Sequence, residues 1–460
     1  MVELALNNLA QKMDGSILQG SPDQSFDKYN IDSRLTQPGE LFFAIEAGRD
    51  GHKFIEDAYK KGAAGAVVSK NISISDKNFA LIQVPDTLQA LQQTGKKVLS
   101  EMEVKVVGIT GSIGKTTTKE FTSSLLSLSY KVFKSRGNYN NYLGLPLSIL
   151  QIQEHHEIAV LEMGINQPHE MKTLTHIAPP DLAAIINILP VHLEFFQTIE
   201  ELASTKKEIL EGMKKGGTAV LNGDNLWTQK IAHQWKGPKL LFGLSKNCPM
   251  RAVHIHKSFS QGISCDLIYE HKQKRVHLPF IYDHYLYNFL SAAAIAQLFS
   301  VPLEDIPRKT PYLKPGSMRG TIIHLPHEIT LVDDSYNSNP VALKSILKSL
   351  ASFPSKRKVA VLGDMLELGE KKREYHVQAG SQLVQYGWDI LITVGPLSKD
   401  TAKGSLNAGM ERNRIFCFDD SEEAAEEIPS LLKKNDLVLI KGSRGIKTEK
   451  IVEKLKQEKT

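Results

Sequence analysis

Cysteine is scarce in this sequence, and neither a long apolar run nor a strong charge of one sign is present. Among 460 residues there are three cysteines, Cys248, Cys265 and Cys417, whose spacing is typical of neither a disulfide framework nor a metal site. This predicts a reducing compartment. No apolar run reaches the ~20 residues that span a bilayer, and Met1–Leu6 has no basic segment typical of a secretory signal. We therefore expect a cytoplasmic protein without a membrane span.

The charges of the chain nearly cancel. Lysine and arginine number 56 and aspartate and glutamate 51, which leaves a formal charge of +5. So small an excess over so long a chain is weak support for nucleic-acid binding. The hydrophobic content of 41% is typical of a globular protein. We expect a monomer that binds small molecules and no nucleic acid.

The length and the pattern of the chain predict an α/β protein of about three domains. Residues 1–102 have an α/β pattern without a phosphate loop of their own. Residues 103–312 alternate strands and helices as in a doubly wound, mostly parallel sheet, with a small antiparallel appendage at about 238–280. Residues 313–460 form a further Rossmann-like series.

The stretch 104–118 is the strongest functional signal. A β-branched run, Val104–Thr110, leads through Gly111, Ser112 and Gly114 into a helix that opens with Lys115, Thr116 and Thr117. Glycines allow successive N–H groups to point inward, and a helix N-terminus adds partial positive charge, so the turn is suited to a triphosphate. Lys115 would neutralise phosphates and Thr116 would bind Mg²⁺. The first glycine of the common pattern is replaced by Ile109, and an ordinary strand–turn–helix is the alternative.

Two further residues could serve a metal site, and a lysine stands on a predicted helix. Glu162 ends the apolar run Ile158–Leu161 and could be a second Mg²⁺ ligand or a solvated acid. His192 could be a neutral ligand or an ordinary loop histidine. Lys206, on a predicted helix 198–210, would by itself be a surface lysine that covers apolar neighbours.

The side chains of two polar loops could either bind a ligand or stabilise a turn. Asn138, Asn140 and Asn141 cluster in the first of them. The second, Asp333–Asn337, precedes Asn339-Pro340, which is a typical helix start with an N-cap and proline at the first position.

Together these stretches resemble the Mur ligase family across nearly the whole chain. The resembling segments are 110–116, 137–141, 162–164, 192–194, 205–208, 318–319, 333–340, 363–369 and 441–445. Within the family, the last three most resemble the members that add D-alanyl-D-alanine to UDP-N-acetylmuramoyl-tripeptide.

The resemblance implies cytoplasmic synthesis of a peptidoglycan precursor by an ATP-dependent amide ligase, through an acyl phosphate and with two Mg²⁺ ions. It implies one domain for the UDP end of the substrate, one for ATP and one that closes over the site. The implied metal ligands and catalytic groups are Thr116, Glu162, His192, Lys115 and Lys206, the last as a carbamylated lysine.

The resemblance also assigns ligand contacts. Asn288 would contact adenine, Arg319 the phosphates and Asp334 the ribose. Ser33 and Arg34, with Asp50 and His52 nearby, resemble the contacts to the uridine diphosphate. Asn138, Asn140 and Asn141 fall in the same implied substrate site.

Two positions depart from the family pattern. Tyr285 follows His284 where the family has asparagine, and Tyr142 stands where a charged or imidazole side chain is expected. The alternatives left open are a third-residue-adding muramoyl-peptide ligase, a folylpolyglutamate synthase, or a nucleotide-gated binding protein without catalysis.

Overall fold

The computed structural model describes residues 3–190, 194–259 and 261–457. Each of the three predicted sequence ranges contains one large sheet, and the predicted mixed α/β class with parallel-rich sheets is confirmed. In the described ranges, no helix has the length and apolarity needed to cross a membrane.

The first sheet has five strands in the order β2-β9-β8-β5-β4, and β2 alone among them is antiparallel to its neighbour. The strands of this part of the chain are β1 Leu4–Ala5, β2 Ser16–Gln19, β3 Ser25–Phe26, β4 Tyr29–Asn30, β5 Leu41–Phe43, β6 Glu46–Ala47, β7 Arg49–Asp50, β8 Gly65–Val68 and β9 Ala80–Gln83. Its helices are α1 Leu6–Lys12, α2 Ile55–Lys60, preceded by a 3₁₀ turn at Gly51–Phe54, and α3 Thr87–Ser100.

The second sheet has nine strands in the order β11-β12-β10-β13-β14-β15-β16-β17-β18. These strands are β10 Lys105–Thr110, β11 Val132–Lys134, β12 Ile158–Glu162, β13 Leu182–Ile185, β14 Thr218–Asn222, β15 Lys239–Gly243, β16 Met250–Ser258, β17 Gly262–Tyr269 and β18 Lys272–Leu278. The helices are α4 Lys115–Leu126, α5 Gly144–Ile149, α6 Glu170–Ile177, α7 Ile199–Glu211, α8 Leu226–Gln234, α9 Asp283–Leu298 and α10 Ile306–Lys309. Strand β10 lies between β12 and β13, so the loop after it is flanked by the ends of both neighbours.

The third sheet has six strands in the order β19-β20-β24-β21-β22-β23, parallel except for the edge strand β19. These are β19 Thr321–His324, β20 Thr330–Asp333, β21 Arg357–Gly363, β22 Ile390–Val394, β23 Ile415–Phe418 and β24 Asp436–Lys441. The helices are α11 Pro340–Leu350, α12 Lys372–Gln385, α13 Lys399–Asn407, α14 Ser421–Leu431 and α15 Glu449–Gln457, with 3₁₀ turns at Gly369–Lys371, Arg412–Arg414 and Arg444–Ile446. Asn339 caps α11, as predicted: its Oδ1 accepts from the Ala342 N–H at 2.9 Å.

One local prediction about the central sheet was wrong. Strand β15, placed with the antiparallel appendage, is parallel to both β14 and β16, so the antiparallel strands β16–β18 continue the same sheet. The proline-rich stretch after residue 305 contains α10 and a 3₁₀ turn at Thr310–Tyr312. Proline is compatible with the first turn of a helix, which explains why it does not prevent helix formation here.

The first and second sheets are joined by a packed contact. Helix α3 contacts α5, and a Cβ built on Gly95 of α3 would lie 2.9 Å from Pro146 Cβ. Leu147 and Leu150 accordingly belong to the apolar core of the first sheet. The domain boundaries predicted at residues 102 and 312 remain proposals.

Candidate active site

The loop Gly111–Gly114 curls at the carboxyl end of β10 and is tied to the end of β13 by Asn187. The Asn187 carbonyl accepts from the Ser112 N–H at 3.0 Å, and its side chain both accepts from Ile113 N–H and donates to Ile113 O at 3.0 Å. Ser112 Oγ donates to Leu189 O at 2.9 Å. The loop is thus held in place by the neighbouring strand before any phosphate binds.

Gly114 is required by two features of this loop. Its φ of +86° is in the left-handed region that favours glycine, and it is the residue before the first turn of α4. A Cβ here would lie 2.4 Å from Asn288 Oδ1 of α9. Asn288 is buried directly behind the loop, and within the described chain its Nδ2 has no hydrogen-bond partner.

Two lysines converge on one carbonyl of the loop. Lys115 Nζ donates to Gly111 O at 2.9 Å, and Lys206 Nζ, from α7, donates to the same oxygen at 3.2 Å. Lys206 is 1% exposed, so the alternative of a surface lysine is wrong. Burial lowers the pKa of both ammonium groups, and the charge of Lys115 lowers the pKa of Lys206 further, to well below its usual range.

Glu162 is buried at the end of β12 and faces the loop. It is 2% exposed, which excludes the alternative of a solvated acid. Its Oε2 accepts from Thr116 Oγ1 at 2.8 Å and its Oε1 accepts from Asn140 Nδ2 at 2.7 Å. The hydroxyl and the carboxylate that were predicted as metal ligands from distant parts of the sequence are therefore adjacent.

In the asparagine loop, residues 135–141, some side-chain atoms stabilise the local fold and others face the cavity. Asn141 Oδ1 accepts from the Gly144 N–H at 2.8 Å at the start of α5, which is a turn-holding role. Asn138, Asn140 and Asn141 all line the same cavity. Lys119 of α4 is buried against this loop, and burial lowers the pKa of its ammonium group.

The C-terminal part of the chain supplies the opposite wall. Arg319 Nη2 donates to Thr116 Oγ1 at 3.1 Å, and the guanidinium lies 4.1 Å from the centre of the Tyr336 ring. Asp334 Oδ2 accepts from Lys441 Nζ at 2.5 Å, and Lys441 also donates to Asn337 O at 2.8 Å. Lys441 is 3% exposed, so it fixes the loop that carries Asp334.

A cavity of about 420 Å³ lies between these two walls. It is lined on one side by the phosphate loop, Glu162 and the asparagine loop, and on the other by Arg319, Asp334–Asn339 and the loops at 366–368 and 443–445. His284 and Tyr285, near the start of α9, also line it. Burial, with the positive charges of Lys441 and Arg319, lowers the pKa of His284 to about 4, so this imidazole is neutral at pH 7.

The residues predicted for the uridine end lie in the first sheet's part of the chain. Ser33 is buried and its carbonyl accepts from Lys61 Nζ at 3.0 Å, whereas the Arg34 side chain is 83% exposed and paired with Asp32. Asp50 Oδ1 lies 2.8 Å from His52 Nδ1. These pairs are separate from the cavity around the phosphate loop, and their substrate role stays a prediction.

His192 lies outside the described residues, so its predicted ligand role stays a prediction. Tyr285, one of the departures from the family pattern, donates through its hydroxyl to Arg319 O at 2.6 Å and so supports the residue that reaches Thr116. Tyr142 accepts through its carbonyl from Gln92 Nε2 of α3 at 3.1 Å. Asn187 and Lys441 are supporting residues that were not predicted from the sequence, although Asn187 follows a strand and Lys441 ends one, where ligands bind in such sheets.

Comparison with known families identifies the class of protein. The Mur ligase middle domain matches residues 109–296, and the Mur ligase glutamate ligase domain matches residues 318–444. A relative from Bacillus subtilis, named UDP-N-acetylmuramoyl-tripeptide--D-alanyl-D-alanine ligase, is 31% identical over 99% of each chain. The chain therefore belongs to the Mur ligase family, as the sequence motifs predicted.

Solved structures of family members named MurF are similar to this chain over most of its length. A crystal structure of MurF from Acinetobacter baumannii superposes with a TM-score of 0.88 at 28% identity, with 99% of each chain covered. MurF from Thermotoga maritima, solved in complex with ADP, has a TM-score of 0.78 at 29% identity and covers 94% of this chain and 97% of its own. The predicted resemblance to the D-alanyl-D-alanine-adding members is thereby confirmed.

Proposed function

We propose that this chain joins D-alanyl-D-alanine to UDP-N-acetylmuramoyl-tripeptide and converts ATP to ADP and phosphate, in peptidoglycan precursor synthesis. The observation that carries the proposal is the hydrogen bond from Arg319 to Thr116 across the cavity. It brings a cation from the C-terminal part of the chain to the phosphate loop, so a bound triphosphate would be enclosed from both sides. The Bacillus subtilis relative carries this reaction in its name.

A carboxylate is a poor acylating agent, so it has to be activated before an amine can attack it. The terminal carboxylate of the tripeptide attacks the γ-phosphorus of ATP, forms an acyl phosphate and releases ADP. The amine of the dipeptide then attacks the acyl carbon, an amide bond forms, and phosphate leaves with the proton of the amine passing to solvent. Lys115 and Arg319 stabilise the negative charge that develops on the transferred phosphoryl group, and the cavity orients the reactants.

The oxygen donors of the cavity fit Mg²⁺. Thr116 Oγ1 and Glu162 Oε2 lie 2.8 Å apart at the mouth of the phosphate loop, and Mg²⁺ prefers oxygen ligands of this kind. These two residues would hold the ion, with His192 and Lys206 proposed for a second one. Bound there, Mg²⁺ would neutralise charge on the phosphates during transfer.

Lys206 suits carbamylation. Its amine is buried beside the charge of Lys115, and its lowered pKa favours the neutral form that reacts with CO₂. The ammonium first loses one proton, and the neutral amine then adds CO₂ and releases a second, so two protons leave as a cation becomes an anion. A carbamate would pair with Lys115 where an ammonium repels it, and it would offer oxygen donors to a metal ion.

The remaining site residues are assigned by the same proposal. Asn288 would contact adenine through its unpartnered amide, and Asp334, held by Lys441, would bind the ribose. The residues of the phosphate loop, 111–117, would bind the phosphates of ATP, while the asparagine loop would bind the peptide end of the acceptor. Ser33, Arg34, Asp50 and His52 would bind the uridine diphosphate.

The proposal includes three domains, at 1–102, 103–312 and 313–460, in a monomeric enzyme of the cytoplasm. The free thiols of Cys248, Cys265 and Cys417 are compatible with a reducing compartment.

A coupled assay tests the function. Purified protein is given ATP, Mg²⁺, UDP-N-acetylmuramoyl-tripeptide and a panel of amines: D-alanyl-D-alanine, single D-alanine, lysine and diaminopimelate. Phosphate release and product mass are measured. We expect turnover that requires both the acceptor and the dipeptide, with a product heavier by one dipeptide less water. Phosphate release unaffected by acceptor and amine, or a product that carries lysine or diaminopimelate in place of the dipeptide, would overturn the proposal.

A further inference from the structure

Lys119 is a buried lysine that the proposed chemistry does not use. It lies one helical turn after Lys115 on α4, and it is 1% exposed. A buried ammonium group is unfavourable unless it is paired and hydrogen-bonded, so its surroundings indicate what it stabilises.

The ammonium group of Lys119 has two hydrogen-bond acceptors, both on the asparagine loop. Its Nζ donates to Ser135 O at 2.7 Å and to Gly137 O at 3.1 Å. Two carboxylates lie farther away: Glu120 Oε1 at 3.6 Å and Glu162 Oε2 at 3.9 Å. The two hydrogen bonds of Lys119 therefore hold the loop. Its positive charge compensates the buried carboxylate of Glu162, whose oxygens stay available to other donors.

The same loop encloses Glu162. Ser135 Oγ accepts from the Glu162 N–H at 3.1 Å, and Asn140 Nδ2 donates to Glu162 Oε1 at 2.7 Å. Asn140 O accepts from the Gly164 N–H at 2.8 Å, just beyond the strand. The carboxylate is thus oriented by a loop whose own first carbonyls are held by Lys119.

We propose that Lys119 is a positioning residue, which fixes the asparagine loop against Glu162 and so presets the acceptor-binding side of the active site. The inference rests on the proposed function for the identity of the acceptor, but the anchoring of the loop stands independently of it. Lys119 touches no reacting atom and acts through the loop. Loss of the anchor weakens binding of the UDP-linked acceptor more than binding of ATP, because the phosphate loop is held separately by Asn187.

The test compares Lys119→Met with Lys134→Met. Lys134 ends β11, immediately before the loop, and pairs with Glu120, but its side chain is 46% exposed. Both variants remove one ammonium group and keep an unbranched apolar stem, so the pair separates anchoring of the loop from loss of charge nearby. Amide hydrogen exchange is followed by mass spectrometry on peptides that cover 135–143, with peptides from β22 as an internal reference.

In Lys119→Met we expect exchange in the loop to rise about tenfold or more, because two carbonyl hydrogen bonds to a charged donor are lost. The KM for the UDP-linked acceptor should rise about tenfold, with the KM for ATP changed less than about threefold. Lys134→Met should leave all three values within about twofold of wild type. Should Lys119→Met fail to fold, Lys119→Gln, which keeps an NH₂ group but no charge, is compared with Lys134→Met in the same way.

Loop exchange within twofold of wild type in Lys119→Met would overturn the inference, as would equal effects of the two variants or an equal rise in both KM values. The exchange measurement needs no substrate. If the wild-type protein shows no ligase activity, the proposed function fails while the anchoring of the loop is still decided.

Discussion

Substitution of Gly114 by alanine would test whether the phosphate loop depends on its close approach to Asn288. The residue has φ of +86°, which costs an L-amino acid about 1–2 kcal/mol. The added Cβ would also lie 2.4 Å from Asn288 Oδ1 and 3.0 Å from Asn288 Cγ. Overpacking of this kind costs typically about 1–3 kcal/mol. We therefore expect Gly114→Ala to lose about 2–5 kcal/mol of stability by adding the two effects.

Gly216 provides a matched control. Its φ of +83° is nearly the same, but a Cβ there would meet nothing within 4 Å. Gly216→Ala should therefore show the backbone cost alone, about 1–2 kcal/mol. The difference between the two variants measures the contact with Asn288.

The assay is urea denaturation of both variants, of Asn288→Ala and of the double variant Gly114→Ala/Asn288→Ala, followed by circular dichroism. Removal of the Asn288 side chain opens the space that the new methyl group needs, so the two substitutions should be non-additive by about 1–3 kcal/mol. ADP binding, measured by calorimetry, should weaken in Gly114→Ala and stay unchanged in Gly216→Ala. Equal stability loss in the two single variants, or additivity in the double variant, would refute the reasoning.

Three further predictions concern single side chains. Lys115→Ala should abolish turnover in the coupled assay with the fold intact by circular dichroism, and retention of more than about a tenth of the rate would contradict its role on the phosphates. Lys206→Ala should be slow and partly rescued by a small added carboxylate, and the wild-type protein supplied with ¹³CO₂ should show a carbamate carbon by NMR; a variant as fast as wild type would exclude the carbamate. For His284 the pKa is lowered from 6.5 to about 4, so unfolding takes up a proton between these pH values and stability must fall as pH drops through that window. His284→Gln should remove up to about 3 kcal/mol of that fall between pH 7 and pH 4, measured by urea denaturation at both pH values, and an unchanged pH dependence would rule the explanation out.

The sequence was sufficient for the features that a short stretch determines. The β-branched run before Gly111 and the lysine and threonines after Gly114 identified the phosphate loop, because strand, turn and helix start each have a local residue pattern. Asn339 and Pro340 likewise predicted the start of α11, because an N-cap acts within three residues. Family motifs then predicted which distant residues share the site.

Tertiary structure alone decided how those distant residues meet. Arg319 and Thr116 are 203 positions apart, and their contact depends on how the third sheet packs over the second. The parallel pairing of β15, the anchoring of the loop by Asn187 and the burial of Lys119 and Lys206 were likewise not evident from the sequence. Hydrophobic pattern and turn residues record local backbone preference, whereas strand order and side-chain partners are set by packing between segments far apart in the chain.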